Sequence, residues 1–187
     1  SEYGGVRANT NVYLGQAKIS LQLDVGFGDA IIPAAEDVNY PVLLGGPLPR
    51  IRTYPKEVVV AEKFHAMIVN GMTNSRMKDF YDLYRIAKMF EFSGGRLSAS
   101  ITGTFARRKT ILPPENSLPL STALYTDSGK IKQWNIYVHN KSLPEVPAEF
   151  SIVGNCLRDF LAPLLKGLVN GNFNNYIWLP GGPWRSN

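Results

Sequence analysis

The chain has 187 residues, of which 44% are hydrophobic and 19% are charged, and its formal net charge is +5. This composition is typical of an ordinary globular protein that can bury a core, in one domain or one domain with a small appendage. The absence of a membrane-length apolar stretch or a signal peptide argues against a membrane protein, and a single cysteine, Cys156, excludes an internal disulfide. We therefore expect a cytoplasmic protein that has no membrane partner.

The positive charge is unevenly distributed. Residues 1–92 contain ten lysines and arginines and ten acids, whereas residues 93–187 contain ten lysines and arginines against five acids. This asymmetry suggests a catalytic part over 1–92 and a part over 93–187 that faces a polyanion. A surface made soluble by basic residues would produce the same imbalance, so charge alone leaves both interpretations open.

The first predicted element is a strand over residues 18–27. Ile19, Leu21, Leu23 and Val25 alternate with polar residues, which is the period of a half-buried strand. Residues 12–14 are its candidate hairpin partner. The segment from 33 to 49 is rich in proline and glycine and is predicted to be a surface loop.

Helices dominate the remainder of the chain. Pro55 opens a predicted helix that ends at Gly71, and a second helix over 76–90 follows a capping residue among 73–75. The apolar face of this second helix, which is predicted to pack in the core, is formed by Phe80, Leu83, Ala87 and Phe90. Further helices are predicted over 96–109, 117–126, 130–139 and 146–166, before an irregular tail that Trp178 and Trp184 pack. The order predicts an α+β fold, a small sheet followed by helices.

A sheet of two strands is marginally stable. We therefore expect further strands, either from the irregular segments or from sequence before Ser1.

Asp24 is the candidate metal ligand. It lies on the polar face of the first strand, just before a glycine-containing turn, and carboxylate oxygens are ligands that Mg²⁺ prefers. The alternative is a solvated acid at the end of a strand.

Charged residues on the first two helices form the main candidate site. Glu62 and Lys63 interrupt an apolar run, where a partly buried lysine could hold a triphosphate or could extend to solvent. On the second helix Asp79 and Asp82 share a face, and Lys78 can pair with Asp82. Arg76 lies beside them. Since the side of a helix opposite its apolar face is usually solvated, the pattern also fits a surface without a function.

A basic cluster, Arg107 and Arg108 with Lys109, lies near a helix end. It could bind the phosphates of a nucleotide or an RNA, or could simply be favoured by the helix dipole. The sequence contains no Walker-type phosphate-binding loop, no Rossmann glycine fingerprint, no zinc-ligand spacing and no nucleophile-elbow serine motif. On physical grounds the candidate residues indicate an incomplete site for phosphoryl or nucleotidyl transfer.

Four segments carry a more specific likeness. Each is short, but they occur in the right order over roughly residues 1–112: Leu23-Asp-Val-Gly-Phe-Gly-Asp29, Tyr54-Pro-Lys-Glu-Val-Val-Val-Ala-Glu-Lys63, Asn74-Ser-Arg-Met-Lys-Asp-Phe-Tyr-Asp-Leu83 and Thr104-Phe-Ala-Arg-Arg108. Together they resemble the AbiEii/AbiGii toxins, nucleotidyltransferase-like proteins of type IV toxin–antitoxin and abortive-infection systems.

The resemblance implies a fold and a site. The fold would be the remnant of a polymerase-β-like nucleotidyltransferase sheet, followed by a mainly helical domain. Mg²⁺ and an NTP would be used to add nucleotides to an RNA such as tRNA, with an antitoxin as a further partner. The catalytic residues would be Asp24, Lys63, Asp79 and Asp82, with Asp24 as metal ligand. Substrate would be bound by the remaining site residues, namely Glu62, Arg76, Lys78, Arg107 and Arg108.

The chain departs from the family at one motif. The 187 residues contain no Gly-Ser…Asp-x-Asp motif, which in the family precedes the strand acid. We expect this motif to lie before Ser1, so that the chain is the C-terminal portion of a longer toxin and is inactive alone. Three hypotheses follow: a nucleotidyltransferase, a non-catalytic module that binds nucleotide, RNA or antitoxin, or a structural domain. Exposed sheet edges would favour a dimer.

Overall fold

The first structural unit, residues 1–30, contains a long antiparallel hairpin. In the computed structural model, which describes residues 4–28, 30–141, 146–171 and 173–187, strand β1 (Gly5–Leu14) pairs with strand β2 (Ala17–Gly26) along its whole length. The register sets Val6 opposite Val25 and Arg7 opposite Asp24, so one face is apolar and the other polar. The predicted strand and its partner are confirmed.

The predicted burial of this strand is wrong. Every residue of β1 and β2 is exposed; Leu23, for example, keeps 59% of its accessible surface. The physical reason is that, among the described residues, β1 and β2 form a sheet of two strands, and such a ribbon does not cover its own apolar face. Asp29, the last residue of the motif that follows β2, lies outside the described residues.

The second unit, residues 31–187, begins with another hairpin. Strand β3 (Glu36–Asn39) pairs with β4 (Arg50–Thr53), and Val38 faces Ile51 across the pair. The prediction of a surface loop is therefore wrong at residues 36–39, because apolar and oppositely charged cross-strand neighbours stabilise a short ladder there. The glycine- and proline-rich segment is the connection between the two strands.

Helices form most of the second unit, close to their predicted positions. Helix α1 follows Pro55, which presets a helix-compatible φ, and ends at Gly71, whose φ of 47° favours glycine. None of the described helices combines the length and the apolar character that a membrane crossing requires. The helices are α1 (Lys56–Asn70), α2 (Met77–Met89), α3 (Gly94–Arg107), α4 (Thr122–Thr126), α5 (Ser128–Lys141) and α6 (Phe150–Asn170).

The core of this unit joins residues from both sides of residue 92. Phe80 on α2 contacts Phe150 on α6 and Tyr125 on α4, and Phe64 on α1 contacts Phe105 on α3. Helices α1 and α2 therefore pack against helices that lie after residue 92 in the sequence. A functional division between residues 1–92 and 93–187 stays a prediction. The α+β class is confirmed.

Short strands appear near the chain end, where the sequence predicts an irregular tail. Strands β5 (Phe92–Ser93), β6 (Tyr176–Trp178) and β7 (Trp184–Ser186) form a three-stranded sheet. The indole N–H of Trp178 donates to the carbonyl oxygen of Ala87 at 2.7 Å, which anchors the sheet to α2. This sheet begins soon after α2 ends, and Phe90 is therefore extended and 43% exposed instead of belonging to the apolar face of α2.

Candidate functional site

Lys63 of α1 lies between two carboxylates of α2. Its Nζ donates to Asp79 Oδ1 at 3.0 Å and to Asp82 Oδ2 at 2.7 Å. The helical spacing of three residues places both acids on one face of α2, as the sequence predicts, and the packing of α1 against α2 brings Lys63 to that face. Lys63 therefore does not extend freely into solvent.

Two further cations complete the group. Lys78 Nζ donates to Asp82 Oδ2 at 2.6 Å, and Arg76 Nε lies 3.2 Å from Asp79 Oδ2. We call Lys63, Arg76, Lys78, Asp79 and Asp82 the α1–α2 charged cluster. It contains three cations and two anions, so it carries a net positive charge.

Burial makes the ion pairs of Lys63 strong. The side chain of Asp79 is 2% exposed and that of Lys63 is 20% exposed. Burial alone would lower the pKa of Lys63, but hydrogen bonds to Asp82 and Asp79 and their negative charges outweigh it and raise the pKa above its ordinary value of 10.5. Lys63 is thus a fixed cation at neutral pH and does not act as a base.

The start of α2 is held by a buried lysine from α5. Asn74 Oδ1 accepts the backbone N–H of Arg76, which shapes the turn before the helix. Lys130, only 4% exposed, donates its Nζ to the carbonyl oxygen of Asn74 at 2.7 Å. These contacts fix the first turn of α2 and with it the positions of Arg76 and Asp79.

A cavity of about 250 Å³ opens beside the cluster, between α1, the start of α2 and the end of α3. Arg108, directly after α3, donates to the carboxylate of Glu62 and so closes one wall. We call this space the charged cavity; the polar residues that line it are Glu62, Lys63, His65, Arg76, Asp79 and Arg108.

His65 is part of this cavity, although it was not among the predicted site residues. It is 8% exposed, and its Nε2 lies 2.9 Å from the hydroxyl oxygen of Thr110. Burial, and then the positive charge of Arg108, lower the pKa of His65 below its ordinary value of 6.5, so the ring is neutral at pH 7. The one available signal was its spacing of three residues from Glu62, which puts the two on one face of α1.

The predicted basic cluster is only partly at the site. Arg108 lines the charged cavity, whereas Arg107 is exposed in the last turn of α3 and does not line it. The physical reason is that α3 ends at Arg107, whereas Arg108 follows the helix and is held at the cavity by its ion pair with Glu62.

Comparison with known proteins identifies the family. The family model for the nucleotidyl transferase AbiEii toxin of type IV toxin–antitoxin systems matches residues 1–149. The chain belongs to this family. The AbiEii match covers β1 to the end of α5 and includes every residue of the charged cavity, and the α+β architecture agrees with a nucleotidyltransferase-like fold. No curated protein and no solved structure matches the chain.

Asp24, the predicted metal ligand, lies in the hairpin unit and is already engaged. Arg7 Nε donates to its Oδ1 at 2.6 Å and Gln22 Nε2 to its Oδ2 at 2.9 Å. These two hydrogen bonds, that of Arg7 first, lower the pKa of Asp24 below its ordinary value of 3.8. Its role in this AbiEii protein stays a prediction.

Nucleotidyltransferase-like families generally use a divalent metal. Within the described ranges no group of three or more His, Cys, Asp or Glu residues could hold such an ion. Asp79 and Asp82 bind Lys63, and Glu62 binds Arg108, so these three carboxylates are engaged by cations and do not fit a protein-built Mg²⁺ site.

A larger groove adjoins the cluster on the other side of α2. It measures about 480 Å³ and lies between the first turn of α2 and the middle of α5. Arg76 and Asp79 line both this groove and the charged cavity. We call it the α2–α5 groove; its other lining residues are Ser75, Met77, Lys78, Gln133, Ile136 and Tyr137.

Proposed function

We propose that the protein transfers a nucleotide from an NTP, bound with Mg²⁺, to an RNA acceptor, for which tRNA is the expected substrate, and that the charged cavity holds the triphosphate. The observation that supports this most is the state of Lys63, a partly buried ammonium that is charged at neutral pH and is fixed by two carboxylates beside Arg76 and Arg108. Preorganised cations of this kind bind phosphate oxygens and stabilise the charge that develops during transfer.

The residues of the cluster have different proposed roles. Lys63 and Arg76 contact the triphosphate, with Lys78 and Arg108 at the margins. Asp79 and Asp82 orient Lys63, a role that their hydrogen bonds to its ammonium favour over proton abstraction, because the carboxylate oxygens are already occupied by the lysine. Glu62 positions Arg108.

Mg²⁺ is proposed to arrive with the NTP, where it neutralises phosphate charge. Asp24 is kept as a proposed Mg²⁺ ligand of the hairpin unit, and in the structure that carboxylate is bound by Arg7 and Gln22. None of the roles given to the cluster depends on the ion, because Asp79 and Asp82 are bound by Lys63.

The basic residues of 93–187 are proposed to seat the RNA. This segment holds twice as many lysines and arginines as acids. Arg107 is exposed, and the residue that follows it in the sequence, Arg108, lines the charged cavity. An antitoxin partner and a cytoplasmic location, both expected of a type IV toxin, are also part of the proposal.

We also propose a dimer that forms through the exposed edges of the β1–β2 hairpin. A monomer at all concentrations in light scattering would contradict this dimer.

The test is transfer of labelled nucleotide from each of the four NTPs, with Mg²⁺, onto total tRNA. The natural gene product and the 187-residue chain are assayed side by side, each as wild type and as the double variant Lys63→Gln/Asp79→Asn, which replaces the charged pair by a neutral one. We expect transfer by the wild-type gene product and a loss of at least about a hundredfold in the double variant. Lys18→Gln, an exposed lysine of the hairpin, is the matched control and keeps full activity.

We expect the 187 residues alone to bind NTP without transferring it, because metal-assisted transfer needs more carboxylates than the described part of the chain brings together. Full transfer by the double variant in the gene product would overturn the role given to Lys63.

The second candidate function is a non-catalytic module that binds nucleotide, RNA or antitoxin. The observation in its favour is that Asp24, Asp79 and Asp82 are all occupied by cations. It predicts NTP binding that depends on Lys63, with no transfer even by the natural gene product.

A further inference from the structure

The α2–α5 groove differs chemically from the charged cavity that it adjoins. Its floor and walls are formed by the apolar parts of Met77, Ile136 and Tyr137, while Arg76 and Lys78 lie at the end shared with the cluster. A ligand that fits both spaces would be anionic at one end and would present an apolar surface at the other. The volume of the groove, about 480 Å³, lies within the range of small-molecule sites.

Tyr137 offers a supported aromatic surface in this groove. Its ring lies 5.9 Å from the ring of the buried Trp134 and 6.2 Å from that of Tyr81, measured between centroids. Such packing restricts the ring, so a planar ligand can stack on it at a small loss of side-chain entropy.

Gln133 supplies a hydrogen-bonding group whose orientation is fixed. Lys130 Nζ donates to Gln133 Oε1 at 3.2 Å. Because an ammonium can only donate, the amide oxygen is the acceptor in this contact, and the amide N–H groups of Gln133 are left as donors at the groove. A fixed donor at the edge of an aromatic surface can distinguish one base edge from another.

The electrostatics of the groove favour an anion. Lys130 is 4% exposed, and its contacts to Asn74 and Gln133 are to neutral oxygen atoms, so its charge is not cancelled by these partners. The groove itself is lined by two cations, Arg76 and Lys78, and one anion, Asp79, so its lining carries a net positive charge to which the buried Lys130 adds.

We propose that the α2–α5 groove binds the base of the NTP, with the base stacked on Tyr137 and read by the Gln133 amide, while the triphosphate extends past Arg76 into the charged cavity. This inference rests on the proposed function, since it takes the charged cavity as the phosphate site. Gln133 and Tyr137 are then residues that determine which NTP is bound.

The test measures the Kd of each of the four NTPs and of inorganic tripolyphosphate, which has no base, for wild type and variants. Gln133→Glu keeps the acceptor for Lys130 and removes the amide donors, and Tyr137→Ala removes the stacking surface. Asn135→Leu, at an exposed position of α5, is the matched control. Thermal melts establish that each variant is folded.

We expect wild type to prefer one base, Gln133→Glu to change the ratio of the four Kd values by about tenfold, and Tyr137→Ala to weaken all NTPs by about tenfold. In Tyr137→Ala the Kd of tripolyphosphate stays within about twofold of wild type. The charge added by Gln133→Glu weakens all anions alike, so for that variant the readout is the ratio among the four NTPs. Asn135→Leu leaves every value unchanged.

Equal binding of the four NTPs by wild type, or unchanged ratios in Gln133→Glu, would overturn the proposal. It would also be wrong if the variants altered binding of a short RNA with a free 3′ end and left NTP binding intact, because the groove would then belong to the acceptor. Failure of the phosphate site is distinguishable, since it would appear as unchanged tripolyphosphate binding in Lys63→Gln/Asp79→Asn.

Discussion

Asp24 and Asp79 are both acids in short ion pairs, yet they stand in opposite environments. The Asp24–Arg7 contact is 2.6 Å, with side chains 56% and 63% exposed, and the Asp79–Lys63 contact is 3.0 Å, with side chains 2% and 20% exposed. The exposed pair is screened by water and stabilises little, whereas removal of one partner from the buried pair leaves a charge that water cannot solvate. The burial of an ion pair, and not the distance between its atoms, therefore indicates which of the two pairs matters for the stability of the protein.

The same contrast separates the two regions that contain these acids. The β1–β2 hairpin has an apolar face that stays exposed, while α1 and α2 are covered by the aromatic core around Phe80. A charged group on α1 or α2 is consequently held in one position by its surroundings. A preorganised phosphate site is expected in the second region for that reason.

The largest expected effect comes from breaking the buried pair. Lys63→Ala leaves Asp79 charged and buried without its main partner, and we expect a loss of about 3 kcal/mol in the free energy of unfolding. Urea denaturation followed by circular dichroism measures it. The double variant Lys63→Gln/Asp79→Asn removes both charges and should recover most of the loss. A destabilisation below about 1 kcal/mol in Lys63→Ala would show that Asp79 is solvated.

An intermediate effect is expected at Asp82, whose side chain is 20% exposed. Asp82→Asn weakens the contacts to Lys63 and Lys78 but keeps an oxygen that can accept a hydrogen bond, so we expect a loss of about 1 kcal/mol. The same urea titration measures it. A loss as large as that of Lys63→Ala would mean that Asp82, and not Asp79, is the main partner of the lysine.

A smaller effect is expected from the pH dependence of His65. Its pKa is lowered in the folded state, so between that pKa and 6.5 the unfolded chain binds a proton that the folded protein does not. Its contribution to stability is present above pH 6.5 and is lost as the pH falls through the folded-state pKa. Thermal melts from pH 7.5 to pH 5 should show a shallower decline for His65→Gln than for wild type; equal slopes would contradict the assignment.

The smallest effect is expected at the exposed pair. Arg7→Gln removes the partner of Asp24 in water, and we expect no measurable change in the urea midpoint. Nuclear magnetic resonance titration should nevertheless show the pKa of Asp24 rising toward its ordinary value, because its first hydrogen bond is lost. A clear fall in the midpoint would mean that the hairpin pair is structurally important.

Periodicity was sufficient to predict the strand over 18–27 and the helices α1 and α2, and the spacing of Asp79 and Asp82 indicated a shared face. It could not show that Lys63 reaches that face, because the packing of α1 on α2 is a tertiary property. His65 was missed for the same reason, since its partner Thr110 lies 45 residues away along the chain. Gln133 is one helical turn from Lys130 on α5, but only the packing of α5 beside the start of α2 places it in a groove. Phe90 was misassigned because the helix stops one residue earlier, where the chain turns into β5.

The charged cavity as a triphosphate site is the central claim, and tripolyphosphate binding tests it most directly. A calorimetric titration compares wild type, Lys63→Gln/Asp79→Asn and the control Lys18→Gln at low and moderate salt. We expect the double variant to bind at least about tenfold more weakly than wild type while remaining folded, and the control to bind normally. Equal affinity of all three proteins for tripolyphosphate would contradict the account.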